Sequence, residues 1–190
     1  MDWKGRFKDI DIHADKAPIK LKFDLLGLVY YLVSPYDDNI EKVRSIFRWV
    51  TRNVTYDVEG FFSGKAAPDE SYLKVLSTSK ATCKGYCKLF SEMCRVASIS
   101  CTCVQGYVKG YDYLPGDTFV GRPANHLWNL VNLDITREWM PVDCSWGAGY
   151  IKEGTKSFIH EFRDHYFLTP PSCFIRDHFP LDQQWQLLPR

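Results

Sequence analysis

The first two-fifths of the chain carries its apolar residues at helical spacing. Behind Asp38, the residues Ile40, Val43, Phe47 and Val50 recur at i, i+3, i+7 and i+10, while Glu41, Lys42, Arg44 and Arg48 fall elsewhere. That pattern predicts an amphipathic helix to about Asn53. Asp38 answered by Glu41 three residues on has the form of a capping box at its start. A shorter, more uniformly apolar helix is expected from about Asp24 to Val33. It is stopped at Ser34-Pro35, because the residue before a proline is pushed out of the helical region. Asp57 to Asp69, with Gly60, Gly64 and Pro68, reads as a loop.

From Cys83 the positions 83, 87, 90, 94 and 97 hold Cys, Cys, Phe, Cys and Ala, whereas Lys84, Lys88, Ser91, Glu92 and Arg95 lie off that stripe. This predicts a helix that turns a cysteine-bearing face into the core. After Ser98 the period changes. Cys101 to Val108, Leu127 to Leu133 and Glu138 to Asp143 are rich in strand formers, and the last two are separated by a hairpin-length connection, Asp134 to Arg137. Between the first two strands lies Gly110 to Ala124, a long loop with three glycines and two prolines, of the kind that forms a lid or binding loop. The tail is punctuated by prolines at Phe167-Leu-Thr-Pro-Pro and Phe179-Pro. Helices first and a meander afterwards predict an α+β domain, with the cysteine helix lying on a small antiparallel sheet.

Composition narrows the function classes. The 190 residues suit one domain, and 24 basic against 23 acidic residues, without a long run of either sign, do not suggest a nucleic-acid or anionic-membrane partner. The longest apolar stretch, Leu25 to Val33, is half of a membrane span, and the N-terminus lacks the continuous apolar run of a signal peptide. A cytoplasmic protein is expected. Seven cysteines without an export signal point to free thiols, and their C-x3-C, C-x6-C and C-x-C spacings do not match a structural zinc site. No metal or other cofactor is expected.

A cysteine in the first turn of a helix sits beside unpaired backbone N–H groups and the positive end of the dipole, both of which favour the thiolate. Cys83 has that position, with Thr82 as the expected N-cap and Gly85 just after it, where a missing side chain would let a substrate backbone approach. The alternative for Cys83, and the reading kept for the other six cysteines, is a small buried hydrophobe. If the hairpin turn is centred between Asp134 and Thr136, His126 and Asp143 face each other across the ladder with Cβ atoms about 5 Å apart. A carboxylate so placed can hold one imidazole nitrogen and aim the other at a thiol. The alternatives are a satisfied core histidine and a strand-end cap.

Three segments, Ala81-Thr-Cys-Lys-Gly-Tyr86, Asn125-His-Leu-Trp-Asn-Leu-Val131 and Trp139-Met-Pro-Val-Asp-Cys-Ser-Trp-Gly147, resemble the Cys, His and Asp blocks of the transglutaminase-like superfamily. Gly106-Tyr-Val-Lys-Gly110, Phe174-Ile-Arg-Asp-His-Phe-Pro180 and Trp185-Gln-Leu-Leu188 are similar to its kyphoscoliosis peptidase and hillarin branch. The resemblance implies a papain-like, transglutaminase-core fold over residues 38–190, preceded by a helical extension over 1–37, in a single domain. It also implies a cysteine-dependent acyl transfer on protein or peptide amides, with Cys83, His126 and Asp143 as the catalytic triad. Gly85, Tyr111, Tyr113 and Trp128 are the candidate substrate contacts. Leu127 and Cys144 depart from the branch pattern, and Leu127 would narrow the site. Members of this branch are parts of cytoskeleton-associated proteins, which makes a non-catalytic scaffold binding cytoskeletal proteins the rival expectation. Trp49 is a candidate second oxyanion donor, weighed against a place in the core.

Overall fold

The computed structural model describes residues 5–64, 70–133 and 138–188. Helix α1 (Lys8–Asp15) precedes α2 (Leu25–Val33) and the long α3 (Asn39–Asn53). Asp24 caps α2 by accepting the Gly27 N–H at 3.0 Å, and Asp38 caps α3 by accepting the Ile40 N–H at 2.8 Å. Strand β1 (Thr55–Tyr56) leads into α4 (Val58–Ser63), then α5 (Tyr72–Thr78), β2 (Lys80–Ala81) and α6 (Cys83–Val96). The expected loop from Asp57 therefore contains a helix. The Asp57 carboxylate accepts the Gly60 N–H at 3.0 Å, which nucleates a turn that Gly64 ends at φ 62°. Its continuation through residues 65–69 lies outside the described residues.

Strands β3 (Ser100–Val108), β4 (His126–Asn132) and β5 (Trp139–Val142) follow, then α7 (Cys144–Ala148), β6 (Gly149–Ile151), β7 (Phe158–His160), α8 (Pro171–Phe174) and β8 (His178–Pro180). The main sheet is antiparallel in the order β5-β4-β3-β8, so the proline-punctuated tail supplies an edge strand beside β3. Alternation on this sheet separates two cores. Val131 and Val142 join the helices in the larger one with Phe47, Leu89, Phe90 and Met93; Val104, Trp128 and Leu130 turn the other way, onto Tyr166 and Phe174. Helix α6 thus lies on the sheet through its apolar face, as its stripe predicts.

The segment before α3 is built into the same core. Phe7, Ile10 and Ala14 of the α1 region are buried with Leu28 and Leu32 of α2. Arg44, 3% exposed, clamps it in place: its guanidinium meets both oxygens of Asp11 at 2.7 Å, bonds Asp164, and lies over the rings of Phe7, Phe162 and Phe167. Among the described residues no helix is long and apolar enough to cross a membrane.

Candidate functional site

Cys83 is the first residue of α6. The side chain of Thr82 does not cap that helix. Its hydroxyl donates instead to Oε1 of buried Glu70 at 2.5 Å, which also accepts the Thr82 N–H at 3.2 Å. Pairing of β1 with β2 sets Tyr56 beside Ala81, two residues before Cys83, and the Tyr56 hydroxyl lies at the Cys83 backbone N–H. Burial pushes the Tyr56 phenol up, with the charges of Cys83 and Asp143 adding to the effect, so it stays a protonated donor. No local pattern marks this residue, because its position depends on a two-residue parallel ladder.

His126 opens β4 and is 4% exposed; Asp143 follows β5 and is 1% exposed. Nε2 of His126 lies 2.6 Å from Oδ2 of Asp143. The register that brings them together differs from the expected one. Asn129 pairs with Val142 and Leu130 with Pro141, so the ladder sets Trp128, on the same face as His126, opposite Asp143. The contact is diagonal, within reach of a long side chain. The turn at residues 134–137 lies outside the described residues.

With Nε2 committed to the carboxylate, Nδ1 is the ring nitrogen left for Cys83, whose charge acts on the ring. Burial opposes a charge on His126, but the Asp143 carboxylate and Cys83 outweigh it and raise the ring to about 10. For Asp143, burial is likewise outweighed by the two histidines, which hold the carboxyl well below the usual carboxylate range.

Asp143 has a second imidazole partner that sequence reasoning missed. His178 of β8, fully buried, places Nε2 at 3.1 Å from the same Oδ2 and Nδ1 at 2.6 Å from Oδ1 of Asp177. The other Asp143 oxygen accepts from the Ser145 N–H at 2.8 Å, the Ser145 hydroxyl at 2.7 Å and the Trp146 N–H at 3.0 Å, which caps α7. His126, Asp143 and His178 are also close enough to share a metal ion, yet their ligand atoms are already engaged with one another by hydrogen bonds.

A cavity of about 260 Å³ opens at His126. Its walls include the rings of Tyr56, Phe61, Tyr111, Trp146, Tyr150 and Phe158, with Asp112, Asn125 and Arg163 as polar groups. Gly110, Tyr111 and Asp112 bring the start of the long loop to its rim, where Tyr111 meets Phe62 edge-on at 5.3 Å. The rest of the loop is tied down away from the cavity: Phe119 stacks on Tyr107 at 5.0 Å, and the Tyr107 hydroxyl donates to the Arg122 carbonyl.

Of the candidate substrate contacts, Tyr111 therefore lines the cavity, while Tyr113 packs beside Phe119. Trp128 is 2% exposed and buried in the second core against Phe174 and His178. At Gly85 a Cβ would lie 2.7 Å from Ala81 and 2.9 Å from Val75, so the missing side chain makes room for α5 and β2 and not for a substrate. Leu127 alternates onto the face opposite His126, and Trp49 sits in the core at 4% exposure. The uniform reading of the six other cysteines also needs correction. Cys87, Cys94 and Cys144 are buried and Cys101 and Cys173 half-buried, but Cys103 is exposed, because it meets α6 at the rim of the helix–sheet contact, near the exposed Lys88.

Helices packed on an antiparallel sheet, with a thiol at a helix N-terminus facing a buried imidazole–carboxylate pair, define a papain-like α+β domain. The chain belongs to the transglutaminase-like superfamily, whose family model matches residues 27–144. It is 38% identical to kyphoscoliosis peptidase from Mus musculus over 185 residues, covering 96% of this chain and 27% of the relative. It is 32% identical to hillarin from Drosophila melanogaster over 194 residues, covering 97% and 23% respectively. The chain thus spans about a quarter of the length of these curated relatives. A solved structure described as a candidate cysteine protease from Cytophaga hutchinsonii shares the fold with a TM-score of 0.50 at 19% identity, over 76% of this chain and 43% of that one.

Proposed function

We propose that the chain is a cysteine-dependent acyl-transfer domain acting on protein or peptide amides. The observation that carries this reading is the buried His126–Asp143 pair beside a thiol at an uncapped helix N-terminus. Cys83 attacks the carbonyl carbon, and His126, charged as it takes up or holds the proton, delivers it to the leaving amine. Asp143 fixes the ring through Nε2 and stabilises its positive form. The thioester that remains is resolved by water, as in a peptidase, or by an amine, as in a crosslinking reaction. Charge developing on the carbonyl oxygen is met by the Tyr56 hydroxyl, which the Cys83 N–H holds at the helix N-terminus. Tyr111 and the aromatic walls of the cavity receive the substrate beside His126.

Iodoacetamide labelling of the native protein tests the reading without knowledge of the substrate. A Cys103→Ser background is needed, because Cys103 is exposed and competes for the reagent. Cys83 should then label faster than every other thiol near pH 6, and His126→Ala should slow it while the fold persists. Labelling of Cys83 no faster than of Cys94 sinks the enzymatic reading. It would leave the second one, a scaffold for cytoskeletal proteins, which is favoured by the exposed apolar side chains of Ile19, Phe23, Leu26 and Tyr30, each 68–86% accessible.

A further inference from the structure

Two cysteines of α6 lie near two of β3 in reversed order, Cys87 with Cys103 and Cys94 with Cys101. Cys103 Sγ lies 3.8 Å from the Cys87 carbonyl, and the charges of Cys87 and Cys103, like those of Cys94 and Cys101 about two turns further along the helix, act on one another. The Asn129 side-chain amide joins them: it donates to the Cys87 carbonyl at 3.1 Å and lies 3.5 Å from the sulfur of Cys101 and 3.6 Å from that of Cys103. The Cys87 thiol donates to the Trp128 carbonyl at 3.3 Å. Among the described residues these thiols do not converge closely enough to form a shared metal site.

We propose that Cys103 and Cys87 form a peroxide-reactive dithiol, in which exposed Cys103 is the sulfur attacked first and buried Cys87 resolves it to a disulfide linking α6 to β3. The geometry separates the two roles. Cys103 is open to a small polar oxidant and receives the Asn129 amide, whereas Cys87, at 2% exposure, is shielded from it. Bonding to Cys87 favours the Cys103 thiolate over its burial, with Ser91, Asn129 and the charge of Lys88 helping, and brings its pKa down to about 7. The same contact and burial push Cys87 well up. In the other pair Cys94 is fully buried and its thiol pushed well up, so that pair has no comparable entry point.

The chemistry balances with a hydroperoxide as oxidant. The Cys103 thiolate attacks one peroxide oxygen, the O–O bond breaks, and hydroxide leaves, so that sulfur is oxidised to the sulfenic acid and peroxide reduced. The Cys87 sulfur then attacks the sulfenic sulfur; an S–S bond forms, the S–O bond breaks, and the hydroxyl leaves as water with the Cys87 proton. The bond so formed lies one helical turn beyond Cys83 and withdraws the Cys87 S–H from the carbonyl of Trp128.

The proposal is independent of the acyl-transfer reading and is tested in a Cys83→Ser background, where the candidate nucleophile takes no part. The full chain is treated with hydrogen peroxide at neutral pH, with dimedone as sulfenic-acid trap, and digested with trypsin without reduction. Lys84, Lys88 and Arg95 place Cys83, Cys87 and Cys94 on separate peptides, and fragmentation at Thr102 separates Cys101 from Cys103. A Cys87–Cys103 cross-linked peptide is expected. Cys87→Ser, which keeps a hydroxyl donor for the Trp128 carbonyl, should instead accumulate the dimedone adduct on Cys103. A thiol near 7 is about half ionised at neutral pH, against about one part in a hundred for an unperturbed one near 9, and Cys94 is pushed above that, so Cys103 should react at least about fifty-fold faster than Cys94. Oxidation of Cys103 no faster than of Cys94, a first disulfide through Cys101, or a link between the Cys103 residues of two molecules each overturns the proposal.

Discussion

Replacing Asp143 by Asn and by Ala separates its two duties. Its Oδ2 faces Nε2 of both His126 and His178, while Oδ1 accepts two backbone N–H groups and the Ser145 hydroxyl. Asn keeps an acceptor for the α7 cap but removes the charge. The rise of His126 from 6.5 to about 10 corresponds to about 5 kcal/mol between its two protonation states, and Asp143 is the largest contributor opposing burial. Without that carboxylate, burial dominates and the ring is neutral at pH 7. Breaking a buried pair on one side costs about 3–5 kcal/mol, and losing the cap adds about 1 kcal/mol in the Ala variant. Asp143→Asn should therefore lower Cys83 labelling about tenfold or more at pH 7 and lower the urea midpoint. Asp143→Ala should lower the midpoint further. The effect is not transmitted through the ring alone, because the carboxylate also holds up α7. Both variants are made in the Cys103→Ser background, with labelling read by peptide mapping and stability by urea unfolding. An Asp143→Asn protein that labels Cys83 as fast as its parent, at an unchanged midpoint, refutes the argument.

Arg44→Ala should cost about 3 kcal/mol, because it strips a buried guanidinium from Asp11 and Asp164, and lower Tm by about 6–12 °C in a domain of this size. Arg48→Ala, whose pair with Asp15 is partly exposed, should cost under about 1 kcal/mol; equal effects in calorimetry would count against the clamp. Because the folded value of His126 lies above its unfolded one, its contribution to stability is full below about pH 6.5 and is lost as pH rises toward 10. Depression of Asp143 works the other way, adding stability above about pH 4 that is lost on acidification. Urea midpoints should thus be highest between those limits and begin to fall from about pH 6.5 to 8.5, before ordinary thiols and phenols titrate. His126→Gln should remove that early fall. In the loop from Gly110 to Ala124 the backbone bonds form local turns, such as Tyr113 to Gly110 and Asp117 to Leu114, so its amides should exchange faster than those of α6. Equal protection would mean that the anchors at Phe119 and Tyr107 hold the whole loop.

The elements whose apolar period matches the face they bury are legible in the chain before it folds. Helix α3 runs from its Asp38 cap to Asn53, and α6 begins at Cys83, because a stripe at helical spacing has one stable way to meet a core. The sequence also carried the three segments that mark the superfamily and named His126 and Asp143, whose side chains the fold sets 2.6 Å apart. What it could not decide were contacts set by packing between distant segments. Register was one: a two-residue shift turned a facing His126–Asp143 pair into a diagonal one, and alternation is unchanged by a shift of two. Gly85 and Trp128 looked open beside reactive neighbours, yet α5 and the C-terminal segment cover them. Tyr56 reaches Cys83 through a short parallel ladder, and His178 reaches Asp143 because the tail returns as an edge strand of the sheet. Cys103 is exposed and Cys101, on the same strand, half-buried, because of where the helix stops covering the strand. Local periodicity records which face of an element is buried; what lies against that face is fixed only when the chain has closed on itself.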